Sequence, residues 1–446
     1  MRVTLISPYE LGRQPFGLAH PAALLRERDV YVDLIDLAQA RLIATELAAS
    51  DLIGVHLPMH TATRIAAEVL PSVRAAAPGA VLCAYGMYAP LNAGWLRDAG
   101  VDLILGAEFE TGLLTAVDQL KQRKPPTQPV LDGLPKVSFV VPDRTGLAPL
   151  SAHAQLRRAD GSEMTMGFAE TTRGCKHRCR HCPVVPAYNG RFRAIPAAVV
   201  LEDIRAQVAA GAGHVSFGDP DFLNGPAHAL RIAEQLHREF PDLTFDAVIK
   251  VEHLLRHQET VARLGVLGMT LVISAVESID DDILERLDKG HTHADFVAVV
   301  ALMRNLGIAL APTFVAFTPW TTLESYAALL EELNRLELVA SVPPVQLAIR
   351  LLIPAGSRLL ELPEVRALAG PFDQSSLGHP WTHADPRVDA LQHEIETSVS
   401  EPRRRSRSQV FAWMLERTYA AIGADPPALA VTPGRAIAHH TEHWYC

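Results

Sequence analysis

The chain has too few cysteines for a disulfide framework. There are five in 446 residues, an odd number, and Cys175, Cys179 and Cys182 fall within eight positions. A secreted scaffold spreads an even set along its length; a tight cluster points to a metal site in a reducing compartment, so a cytoplasmic protein is expected. No apolar run reaches the ~18 residues of a membrane span. Met1-Arg2 leads straight into Val3-Thr4-Leu5-Ile6-Ser7 with no signal-peptide pattern. A soluble protein with no membrane partner follows. Positive charge is also short: 41 Lys and Arg against 50 Asp and Glu give a net charge of −9, which argues against a nucleic-acid partner. The one basic run, Arg403-Arg404-Arg405-Ser406-Arg407, reads as a solvated helix start after Pro402. No G-x-G-x-x-G follows the first strand, so a nicotinamide dinucleotide is not expected. No serine-nucleophile elbow, phosphate loop or solenoid repeat is present.

What is present is an ordinary globular composition, 48% hydrophobic and 20% charged, long enough for two or three domains. Residues 1–122 alternate short apolar runs with amphipathic stretches about five times. Parallel strands need helical crossovers, so this region predicts a doubly wound, flavodoxin-like α/β sheet. Its ligand loops would lie beyond the strands' carboxyl ends. Residues 123–165 carry Pro125, Pro126, Pro129, Pro135, Pro142 and Pro149 and read as a linker with short extended pieces. Residues 166–360 alternate again. The strand candidates are 167–172, 214–217, 244–250, 270–275, 309–316 and 346–352, six strand–helix units that predict a partial (β/α)6 barrel. Residues 361–446 read as helical and irregular. Cys83 sits in a strand of the first region as a buried apolar filler.

The three clustered cysteines occupy the loop after the first strand of the second series, TTRGCKHRCRHCPVVP, residues 171–186. Three thiolates so spaced can hold three corners of an iron–sulfur cube and leave the fourth iron open. The rival is zinc, because His177 and His181 interleave with the cysteines. A zinc site would usually complete its ligand set from a second, distant pair, and none is evident.

Cys-x-x-x-Cys-x-x-Cys after a first strand, followed by this strand–helix series, resembles the radical S-adenosylmethionine (SAM) superfamily over residues 166–360. The resemblance implies a [4Fe-4S] cluster on Cys175, Cys179 and Cys182 that cleaves SAM reductively. It also implies SAM contacts. His181 stands where relatives place an aromatic residue near adenine. Asp219, in Phe217-Gly218-Asp219-Pro220-Asp221-Phe222, would receive the amino group. Ser274 and Glu277, in Ile273-Ser274-Ala275-Val276-Glu277-Ser278, match the strand that meets the ribose. Arg350 and, more weakly, Lys250 are candidates for the carboxylate. After the fifth strand, relatives carry Gly-x-Pro-x-Glu-Thr; this chain has Phe317-Thr318-Pro319-Trp320-Thr321-Thr322, without the glycine and the acid.

The first region resembles the cobalamin-binding domain of a radical SAM subgroup. The cues are Gly17-Leu18-Ala19, Asp51-Leu52-Ile53-Gly54-Val55, Tyr85-Gly86 and Gly100-Val101-Asp102-Leu103-Ile104-Leu105-Gly106-Ala107-Glu108. It implies cobalamin near Pro8, Gly17, His60, Gly86 and Glu108, with no Asp-x-His-x-x-Gly motif to supply a histidine ligand. The ending Thr441-Glu442-His443-Trp444-Tyr445-Cys446 resembles a subgroup whose tails continue through Cys- or selenocysteine-Ala-Glu-Pro, which implies a selenoprotein read short at Cys446. The expected activity is cobalamin-dependent methylation of an unactivated carbon or phosphorus, on a small-molecule or peptide substrate, with a flavodoxin or ferredoxin as electron donor. Two alternatives stay open: radical rearrangement or oxidation without methyl transfer, and a non-catalytic metal-binding or sensing protein.

Overall fold

In both halves of the chain, short apolar strands alternate with longer amphipathic helices, and each half forms a parallel sheet. The computed structural model describes residues 1–127, 134–135, 137–400, 406–427 and 430–442. Pro129 of the proline-rich stretch, the basic run's Arg403, Arg404 and Arg405, and the tail His443 to Cys446 lie outside the described residues.

The first sheet contains β1 (Arg2–Ser7), β2 (Tyr31–Asp36), β3 (Leu52–His56), β4 (Val81–Tyr85) and β5 (Leu103–Leu105), in the order β2-β1-β3-β4-β5 with every pair parallel. Successive side chains leave on opposite faces. Ile6, Ile53, Leu82 and Ala84 pack with the helix His60–Ala76, while Leu5, Leu52, Cys83 and Tyr85 pack with the helices Phe16–Arg26 and Glu110–Lys121. Burying both faces under helices is the doubly wound arrangement the alternation predicts. Cys83 is fully buried in it.

A short three-stranded patch follows: β6 (Leu156–Arg157), β7 (Glu163–Met164) and, from the far end of the chain, β15 (His439–His440). The second large sheet comprises β8 (Met166–Ala169), β11 (His214–Phe217), β12 (Thr244–Val248), β13 (Met269–Glu277) and β14 (Ala309–Phe314), all parallel, in the order β14-β13-β12-β11-β8. Val215, Phe217, Phe245, Ala247 and Val272 join the helices in the largest apolar core. The alternate residues His214, Ser216, Asp246 and Ser274 are buried and polar, and they point to the other face. The helices Pro386–Ser400 and Arg407–Ile422 close over the core through Leu391, Ile395, Met414 and Leu415.

Two expectations are corrected here. The first predicted strand, 167–172, is two strands. It bends after Ala169 into β9 (Thr172–Gly174), which pairs antiparallel with β10 (Phe192–Ala194). The sixth strand, 346–352, is reduced to one parallel bridge between Phe317 and Arg350, and Pro344–Leu347 is a 3-10 turn. Pro343 and Pro344 explain this, because each fixes φ and lacks an N–H for a ladder.

Candidate active site

The cysteine loop leaves the barrel at the carboxyl end of β8 and is tied down on every side. At its root the Thr171 N–H and hydroxyl and the Thr172 hydroxyl donate to Asp219 at 2.9, 2.6 and 2.6 Å. The Lys176 N–H donates to Asn224 Oδ1 at 3.1 Å, and Asn224 Nδ2 donates back to Gly174 O at 3.2 Å. On the other flank the Arg180 N–H donates to Leu287 O at 2.9 Å, and the Ser357 hydroxyl donates to Arg180 O at 3.2 Å. His181 Nε2 lies 3.1 Å from Glu277 Oε1, to which Lys289 Nζ donates at 3.3 Å. Burial alone would raise the Glu277 carboxyl; the Lys289 charge and His181 overcome it and hold it at about 2.

Cys175 and Cys179 are buried, Cys182 is half-buried, and all three are free thiols. Burial pushes Cys175 up to about 11 and Cys182 up to about 12. Each proton would leave on metal binding. The positive charges of Lys250 and Lys289 oppose these shifts, on Cys175 and Cys182 respectively. Among the described residues, two sets of three ligand-type atoms gather within 4.8 Å of one another, and the cysteines form neither. A single zinc ion would draw its sulfurs to within about 4 Å of each other, so this spread suits a polynuclear cluster.

The carboxyl edge of the first sheet faces this loop. The helix after Cys182, Val184–Tyr188, packs through Val184 and Tyr188 with Met87, Ala107 and Leu134. The Tyr188 hydroxyl donates to Glu108 Oε1 at 2.8 Å. Arg173 of β9 pairs with the buried Glu110. A cavity of about 330 Å3 lies between the first sheet's carboxyl edge and the helix after Cys182, lined by Met87, Arg97, Gly106, Glu108, Leu134 and Pro186 among others. Glu108 is 2% exposed, its Oε2 has no hydrogen-bond partner, and burial raises its carboxyl. Beside this, His56 Nδ1 lies 2.8 Å from Glu10 Oε1, while the Phe16 N–H donates to Glu10 Oε2 at 3.0 Å. The His56 ring occupies the space a side chain on Gly17 would need. A Cβ on Gly86, at φ +114°, would come within 2.7 Å of Leu57 O.

Residues 169–332 match the Radical SAM superfamily. Those residues, which hold the cysteine loop and most of the second sheet, form a radical SAM domain. Curated relatives match over shorter stretches. The hopanoid C-3 methylase of Methylococcus capsulatus is 26% identical over 151 residues, 34% of this chain and 29% of its own. The tRNA-2-methylthio-N(6)-dimethylallyladenosine synthase of Chlorobium phaeovibrioides is 27% identical over 172 residues, 33% of this chain and 35% of its own. The matches thus span about a third of those relatives. Two solved structures share the whole architecture. OxsB, a cobalamin-dependent SAM radical enzyme solved with aqua-cobalamin, superposes with a TM-score of 0.68 at 16% identity, covering 94% of this chain and 71% of that one. TsrM, a radical SAM methyltransferase from Kitasatospora setae solved with cobalamin and a [4Fe-4S] cluster, gives 0.63 at 15%, covering 94% and 88%. Among the described residues, no helix is long and apolar enough to cross a membrane.

Within the radical SAM domain the structure brings Cys175, Cys179, Cys182, His181, Glu277 and Lys250 to one place. Three further candidates have partners within the protein. Asp219 is fully buried and its carboxylate is taken by Thr171 and Thr172; burial first, against those bonds, lifts it to about 6. It holds the bend before the loop. The Ser274 hydroxyl donates to Ile249 O at 2.7 Å, fixing the strand end from which Lys250 departs. Arg350 is bonded to Asp389 at 2.6 Å and to Trp381 O at 2.8 Å and lies over the Trp381 ring, so its charge serves the carboxyl-terminal region. On the cobalamin-type edge, His60 Nε2 lies 2.8 Å from Ser376 O, and Pro8 follows β1 directly. The sequence does not announce the pairings of Lys289 with Glu277, Asp221 with His253 or Glu10 with His56.

Proposed function

We propose that this radical SAM enzyme is a cobalamin-dependent methyltransferase acting on an unactivated carbon or phosphorus centre. One observation carries this reading: two parallel sheets turn their carboxyl edges toward each other, with the cysteine loop packed on Met87, Ala107 and Glu108. The matched hopanoid methylase and the TsrM likeness support methyl transfer, and the OxsB likeness supports cobalamin.

Cys175, Cys179 and Cys182 would hold the cluster. Lys250, His181 and Glu277 would border the open iron and its SAM. Gly17, Gly86, Glu108 and the Glu10–His56 pair would border the corrin, and the cavity takes only part of so large a disc. Once bound, the cluster supplies the electron that cleaves SAM and the corrin carries the methyl group to be transferred. The protein's own part is to fix the loop, exclude water between the two edges and keep Glu277 ionised beside Lys289. The free thiols suit a reducing cytoplasm, a flavodoxin or ferredoxin would supply the electron, and the negative charge favours a small molecule or peptide over nucleic acid.

The test is anaerobic reconstitution with iron, sulfide and cobalamin, followed by metal and corrin quantification and turnover with methyl-labelled SAM. Retained corrin and label in the product are expected. SAM cleavage with no label transferred would point to rearrangement or oxidation. Replacing all three cysteines by serine should abolish cluster iron and deoxyadenosine formation together.

A further inference from the structure

Of the two groups whose ligand atoms lie within 4.8 Å of one another, one lies against the cysteine loop: His177, between Cys175 and Cys179; Asp221, after β11; and His253, after β12. We infer that these three side chains form a second metal site, separate from the cysteines, for a single divalent transition-metal ion such as zinc.

The chemistry of the donors supports this. His253 Nδ1 lies 2.7 Å from Asp221 Oδ2, and His177 Nε2 lies 3.7 Å from the same oxygen. Metal–ligand bonds of about 2.0–2.1 Å in a tetrahedron separate donors by roughly 3.3 Å. The two distances straddle that value. Asp221 and His253 are each 0% exposed, yet Asp221 Oδ2 and His253 Nδ1 have no aligned hydrogen-bond partner. A buried carboxylate oxygen and a buried imidazole nitrogen left so are costly unless something sits between them. The ring nitrogen of His177 away from Asp221, Nδ1, faces Glu252 Oε2 at 3.7 Å, a carboxylate placed to orient a metal-bound imidazole.

The second such group, His214, Asp246 and His440, has the same composition but needs no ion. Both Nε2 atoms lie within aligned hydrogen-bond distance of Asp246 Oδ2, at 2.9 and 2.6 Å, and the Ser216 hydroxyl fills Oδ1.

An ion held by His177, Asp221 and His253 would cross-link the cysteine loop to the ends of two barrel strands. With three protein donors it keeps a fourth position open, as catalytic zinc sites do.

The test uses full-length protein whose cluster has already been assembled, then incubated with zinc, desalted and measured for both metals. About one zinc per chain beyond the cluster iron is expected, and Asp221→Asn or His253→Gln should weaken zinc binding by at least tenfold. No retained zinc, or zinc unchanged in both variants, overturns the site. Because either variant could disturb the loop, zinc X-ray absorption on the unmodified holoprotein provides an independent reading. Nitrogen and oxygen neighbours alone are expected; sulfur neighbours would put the zinc on the cysteines and overturn the inference.

Discussion

The two histidine–aspartate–histidine groups sit at opposite ends of the same two strands and do different work. At the amino end, His214 opens β11, Asp246 lies inside β12, and His440 arrives from the carboxyl-terminal segment to complete them. All three are buried, and both imidazoles meet Asp246 Oδ2 through aligned hydrogen bonds. At the carboxyl end, Asp221 and His253 are just as buried, but Asp221 Oδ2 and His253 Nδ1 have no aligned partner, and His177, 15% exposed on the cysteine loop, meets His253 Nε2 at 3.2 Å. A satisfied cluster is a lock. An unsatisfied one at the same depth marks a place where something else is meant to bind. In a barrel this polarity is expected, since amino-end residues serve stability and carboxyl-end residues serve chemistry.

The same substitution at both ends would break the comparison most sharply, and the larger effect belongs to the lock. Asp246→Asn should cost about 3–5 kcal/mol, because it removes the charge that two buried imidazoles face; denaturant unfolding checks this. The lock also predicts the response to acid. Burial lowers the His214 value below the ordinary 6.5, and although burial opposes it, His440 and His214 hold the Asp246 carboxyl well below the ordinary range. Both folded values are depressed, so the stability they confer is complete above the unfolded values and lost as pH falls. Stability should decline first below about 6.5 and again below about 3.9. In Asp246→Asn the second decline should shrink.

His440→Ala comes next, at about 1–3 kcal/mol, since Asp246 keeps His214 and Ser216 but loses one buried donor. It should also release the segment that β15 pairs with β6, which limited proteolysis would detect as earlier cleavage near residue 437. Ser216→Ala removes a single 2.9 Å bond to Asp246 Oδ1 and should cost about 1 kcal/mol.

The contrast also explains what could be read from the sequence. Both parallel sheets were legible, because strand and helix periods are local and repeat many times. The cysteine loop was legible for the same reason: its three donors lie within eight residues. Partnerships across the chain were not. Asp219 and Asp221 stand two positions apart in one turn, and nothing local says that the first meets Thr171 while the second meets His253. Asp246 and His440 are separated by 194 positions. Arg350 needs a partner, and the sequence does not name it, because Asp389 and Trp381 approach from a region that carries no motif. The sixth strand is interrupted by a local signal, Pro343-Pro344, which opens a 3-10 turn where the segment 346–352 reads as a strand.

Asp221→Asn has the smallest expected effect on stability and decides most. Its Oδ1 accepts from the Leu223 N–H at 3.1 Å, a cap that the asparagine oxygen can keep. Its Oδ2 has no aligned partner to lose. The fold should therefore change by less than about 1 kcal/mol, the range of substitutions that break no satisfied interaction, while zinc retention drops. If thermal unfolding instead showed a loss as large as that of Asp246→Asn, with zinc binding untouched, the carboxyl-end group would be a second lock, and the two ends of the barrel would differ in geometry only.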